Sequence, residues 1–90
     1  MMNTEKSILT YFDRYKSYIK RPLRVDDLNY IVASIEKNDF FSILKSQGIR
    51  VIQILFKYYI DTEQYEYNNK IKEAVENHNK YFGTNYKLYT

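Results

Sequence analysis

His78 is the only histidine in the 90-residue chain, and there is no cysteine. For an imidazole to act as a metal ligand or a catalytic base it needs companions: a second His or Cys ligand, or a nucleophile and a carboxylate spaced to converge on it. The sequence supplies none. His78 instead falls at the centre of an apolar helical stripe, where a histidine is expected to be a core residue with one hydrogen-bond partner. The carboxylates are explained in the same way. Asp26 and Asp27 stand at a helix start, and Glu63, Glu66, Glu73 and Glu76 share a solvated face with Lys70, Lys72 and Lys80. Gly48 and Gly83 are too far apart to form a phosphate-binding loop. The expectation is therefore a non-enzymatic chain with no catalytic residue, no metal site and no cofactor.

The remaining chemistry is charge. The net charge of +3 is uneven: residues 1–24 hold six cations against Glu5 and Asp13, whereas the rest is slightly acidic. Between Arg14 and Arg24 there are five cations and no anion. Lys16, Lys20, Arg21 and Arg24 could converge on one phosphate or on an acidic protein partner, with Arg14 on the other flank. The competing reading is a solvated helix end, where the dipole already favours cations. A helix-turn-helix over residues 40–57 fits poorly. Leu44 occupies the position that needs a small residue, and the reading helix would offer DNA only Arg50, Gln53 and Lys57.

Spacing identifies the elements that must position these groups. Ile8, Tyr11, Phe12, Tyr15, Tyr18 and Ile19 form one helical stripe, so a first helix is expected from Thr4 to Lys20, ended by Pro22. Asp26 is expected to cap a second helix carrying Leu28, Ile31, Val32 and Ile35, with Val25 stapled onto Tyr30. Asn38-Asp39 should cap a short third helix with Phe40, Ile43 and Leu44, ending near Gly48. Residues 49–60 are rich in β-branched and aromatic side chains that also suit a buried strand. As a helix, however, they gather Arg50, Gln53 and Lys57 on one narrow wet edge, which a strand would split between two faces. A last helix is expected to start at Asp61 as cap, carry Tyr67, Ile71, Ala74, Val75, His78, Tyr81 and Phe82, and end at Gly83.

The expected fold class is all-α, a compact bundle of four to five short helices over a single domain 1–83 with a tail 84–90. The alternative is an α+β fold with a strand or hairpin in 49–67. The start, Met1-Met2-Asn3-Thr4-Glu5-Lys6, lacks the order of an export signal, and no apolar run is long enough to span a membrane. With no cysteine, the expected location is cytoplasmic.

Eleven tyrosines are more phenols than so small a core can hold with every hydroxyl satisfied. Three of them, in the first helix, read as core. Tyr58, Tyr65, Tyr86 and Tyr89 are the candidates for a protein interface, because surface tyrosine offers large contact area at small entropic cost. An almost wholly apolar helix at 49–60 also makes a homo-oligomer plausible. Ile, Asn, Lys and Tyr supply 39 of the 90 residues, a bias that suggests an AT-rich source such as a phage or mobile element. The functional expectation is a small regulator or inhibitor that occupies a surface of a protein partner. The alternative is a nucleic-acid-binding protein using the basic 14–24 segment.

Overall fold

The computed structural model describes residues 4–89. Five helices follow one another: α1 (Thr4–Arg14), α2 (Val25–Glu36), α3 (Phe40–Gln47), α4 (Ile49–Asp61) and α5 (Tyr65–Phe82). Among the described residues there is no strand, so the all-α expectation holds and the strand or hairpin alternative for 49–67 does not. The expectations for Met1 to Asn3 and for Thr90 fall outside the described residues.

α4 is the central element. Val51, Ile52, Ile54, Leu55, Phe56, Tyr58 and Tyr59 are all buried, while Arg50 and Lys57 stay exposed and Gln53 half-exposed along the anticipated wet edge. Three helices pack on it, α1, α3 and α5; α2 packs on α3. Every helix adds to one buried cluster, from Ile8 and Phe12 in α1 to Ile71, Ala74 and Val75 in α5.

The joints follow local chemistry. Asp39 caps α3 as expected, accepting hydrogen bonds from the Ser42 amide (3.1 Å) and hydroxyl (2.7 Å). Those two donors, the hydroxyl first, hold the Asp39 carboxyl below its ordinary range. Gly48 joins α3 to α4 in a single residue at φ +95°, a conformation that needs a residue without Cβ. Gly83 ends α5 in the left-handed conformation, as anticipated.

Three boundaries differ from the expectation. α1 stops at Arg14 rather than Lys20, and the chain continues in tighter turns, with the amides of Tyr18 and Ile19 bonded to the carbonyls of Tyr15 and Lys16. Pro22 acts farther along: the helical partner of the Tyr18 carbonyl would be the nitrogen of residue 22, which carries no hydrogen. That carbonyl instead accepts from Arg50 Nη1 at 2.7 Å.

The second difference is at α2, which begins two residues early, at Val25 with Arg24 in the cap position. Asp26 does not cap it. Asp27 reaches back to the Arg24 amide at 3.0 Å, and this bond, the Gln47 amide and the nearby Arg21 and Arg24 charges hold the Asp27 carboxyl below its usual range. Val25 and Tyr30 both remain exposed, so the expected staple is not formed.

The third is at the α4–α5 joint. Asp61 is the last residue of α4, and its carboxylate accepts the Tyr11 hydroxyl at 2.8 Å and pairs with Lys57 at 3.5 Å, tying α1 to α4. The turn is made by Glu63 at φ +58°, and α5 starts after Gln64.

Inside the core the hydroxyls of Tyr58 and Tyr59 and the Oδ1 of Asn68 make no hydrogen bond to a described residue. Burial first, then the neighbouring Tyr67 and Tyr58, raises the Tyr59 phenol well above its ordinary value of 10.0. A group that ionises more readily when unfolded stabilises the fold fully below its unfolded value and progressively less above it. Tyr59→Phe should therefore raise stability by about 1 kcal/mol at neutral pH, since it removes an unpaired buried polar group. The two proteins should keep that spacing up to pH 9, and above about pH 10 the wild type should lose stability faster. Urea melts across this range measure both effects; a Phe variant less stable by 1 kcal/mol would show that the hydroxyl has a partner.

Candidate interaction surfaces

The basic segment is divided by the early end of α1. Lys16 pairs weakly with Asp13 at 3.9 Å and, with Arg21, lines a hollow of about 340 Å³ over Phe12, Ile19 and Leu28. Lys20 and Arg21 line a second hollow of about 300 Å³ against Gly48 at the start of α4. Arg21 is held there by Gln47 Oε1 (3.2 Å) and Asp27 (3.8 Å). Arg24 flanks α2 and lines neither hollow. The structure thus brings Lys20 and Arg21 together, links Lys16 to them through Arg21, and places Arg24 outside both hollows, near Arg21 across the shared Asp27 carboxylate.

Arg50 completes the second hollow, and the sequence reading did not place it there. Its guanidinium lies 5.0 Å from the Tyr18 ring centroid while donating to the Tyr18 carbonyl. A signal was available: a cation in the first turn of a helix opposes the dipole, so something else must hold it.

The tyrosine set also separates. Tyr58 is 1% exposed, edge-on to Tyr11 and Tyr59 (5.1 Å each), and so is corrected from surface to core; it lies on the inner face of α4, where α1 covers it. Tyr65 and Tyr89 are exposed at 59% and 67%, and Tyr86 is half-buried. Among the described residues no ring contact joins Tyr65, Tyr86 and Tyr89 to one another.

The exposed aromatic cluster lies elsewhere. Phe41 stacks on Phe82 (6.2 Å) and meets Tyr81 edge-on (6.4 Å), and both α5 residues are exposed, Tyr81 at 77% and Phe82 at 54%. The apolar spacing of α5 placed Tyr81 and Phe82 in the core. The spacing states which face of α5 seeks cover, and at the last turn the Phe41 ring of α3 meets both residues while leaving each more than half exposed. The sequence signal was Phe41, which falls off the Phe40, Ile43, Leu44 stripe.

His78 is buried beneath this cluster, between Phe82 (4.7 Å), Tyr86 (5.2 Å) and Phe41 (5.9 Å). Its Nδ1 lies 2.9 Å from the Thr84 hydroxyl, which donates its single hydrogen to Asn79 Oδ1 at 2.7 Å. Thr84 can then only accept from the ring, so His78 carries its hydrogen on Nδ1. That nitrogen positions the chain after α5. Among the described residues no three His, Cys, Asp or Glu side chains are grouped as a metal ion would require, and no helix is long and apolar enough to cross a membrane.

Arg50 gives a direct test of this assembly. Arg50→Ala should cost about 1 kcal/mol by leaving the Tyr18 carbonyl without its partner, and Arg50→Lys should recover only part of it, because an ammonium lacks the planar group that covers the ring. Thermal melts of the two variants would measure the loss. No protein-family model matches this chain, no curated protein matches it, and no solved structure matches it.

Proposed function

We propose that this protein is a small non-catalytic binding protein that occupies a surface of a protein partner through Phe41, Tyr81 and Phe82. The single observation behind this reading is that Tyr81 and Phe82 stand exposed on the last turn of α5, each in contact with the half-buried ring of Phe41 on α3. Monomeric proteins rarely expose contiguous apolar surface without use for it, and burying each such ring on a partner is worth about 1.5–3 kcal/mol. Stacking against Phe41 and His78 preorganises Phe82, so little side-chain entropy is lost on binding. The titratable groups with shifted pKa serve caps, joints or the core, which supports a non-catalytic role. A cytoplasmic regulator or inhibitor from a phage or mobile element is the finer form of this proposal, and self-association is compatible with it.

The test is to recover a stoichiometric partner with the wild-type chain and then to measure its affinity for Tyr81→Ser and Phe82→Ser. Each should weaken binding by tenfold or more while leaving the thermal midpoint nearly unchanged, because both side chains are largely solvent-exposed. Unaltered affinity would remove the reading, and so would recovery of no partner.

A second reading is nucleic-acid binding, favoured by Lys20, Arg21 and Arg50 around one hollow at a helix N-terminus. There, nucleic-acid affinity should fall steeply with salt, and Lys20→Ala should lower the logarithmic salt slope by about 0.9 for the phosphate contact it removes. Gel shifts between 50 and 200 mM salt decide it, roughly the range over which such contacts weaken by orders of magnitude. An absence of any shift at low salt would exclude this reading.

A further inference from the structure

Residues 84–89 have no regular secondary structure, yet side-chain amides from two helices hold their backbone. Asn79 accepts from the Tyr86 amide at 2.9 Å and donates to the Tyr86 carbonyl at 3.0 Å. Gln53 treats Tyr89 in the same way, accepting from its amide at 2.8 Å and donating to its carbonyl. Each carboxamide thus meets one residue's N–H and C=O together, as a neighbouring strand would, and the two residues so held are three apart. Main-chain pairing of this kind provides affinity for an extended segment, while adjoining pockets select its side chains. Side chains of the tail add contact here, Tyr86 and Leu88 being half-buried against the core. Tyr86 lies against the His78 ring, Leu88 borders a hollow of about 380 Å³ beside Phe56 and Ile60, and Tyr89 borders one of about 350 Å³ beside Tyr15, Tyr18 and Ile54.

We infer that this face of α4 and α5 is a receptor for an extended segment, and that residues 84–89 of a second copy of the chain can fill it in place of the molecule's own. The segment known to fit is the chain's own tail. The contacts that hold it are hydrogen bonds and packing that the identical tail of a neighbour can make as well. What keeps the tail in its own molecule is Gly83, whose left-handed turn at φ +66° sends the chain back along the helix. A Cβ at Gly83 would meet nothing within 4 Å, so a substitution there acts on the turn and not on packing.

The experiment is sedimentation of the full chain and of Gly83→Val. Exchange of identical contacts leaves the wild type a monomer until its concentration approaches the effective concentration of a short linker, ~1 mM. A left-handed β-branched residue should weaken closure on the same molecule about tenfold, and because a reciprocal dimer relieves two such turns, its dissociation constant should fall about 100-fold, to roughly 10 μM. Gly83→Ala, with a smaller penalty, should lie between them. Adding Gln53→Ala and Asn79→Ala to Gly83→Val should return a folded monomer, with helical content checked by circular dichroism. The inference is overturned if Gly83→Val stays monomeric at 100 μM, whether its tail is docked or free, or if the dimer survives loss of both carboxamides. If the variant does not fold, Gly83→Ala and the wild type near 1 mM decide: a monomer in both overturns the inference as well.

Discussion

The burial of α4 on three sides is the constraint on which the other elements depend. Seven of its side chains are buried, and they are supplied to α1, α3 and α5 at once, so each of those helices needs only one apolar face turned toward it. The short helices gain most from this arrangement. An 8-residue α3 would not persist alone in water, and it persists here because Phe40, Ile43 and Leu44 are buried in the shared core. The wet edge of α4 is used as well: Arg50 satisfies the carbonyl that Pro22 leaves without a donor, Gln53 holds Tyr89, and Lys57 pairs with Asp61.

Two kinds of site arise where this arrangement runs out. At the last turn of α5, rings that its spacing would bury stand exposed over Phe41. Where the chain leaves α5, Gly83 turns it back and carboxamides on α4 and α5 take its backbone. His78 connects the two, since its ring packs under Phe82 while its Nδ1 holds Thr84. The aromatic cluster and the docked tail therefore share a foundation, and a change at His78 would be felt by both.

The basic segment shows how an early helix end redistributes a pattern. On a continuous helix Lys16 and Lys20 would share a side. Here α1 ends at Arg14, the turns tighten, and Lys20 lies with Arg21 and Arg50 at the start of α4, whereas Lys16 faces a different hollow. Charge composition was legible in the chain, but the grouping of charges was not, because it depends on a contact between residues 18 and 50.

What the sequence determined by itself was whatever rests on local periodicity and local hydrogen bonds. The all-α class, the helix over 49–60, the Asp39 cap, the Gly48 joint and the Gly83 stop all belong here, since each depends on neighbours within about one turn. Tertiary structure decided what depends on distance along the chain. Asp61 ends α4 and meets Tyr11, fifty positions away, a contact that no local rule states. Tyr58 is core because α1 lies over it, and Tyr81 and Phe82 are surface because the Phe41 ring that meets them leaves each more than half exposed. An apolar spacing states which face of a helix seeks cover, and only the packed arrangement states how far along the helix that cover extends.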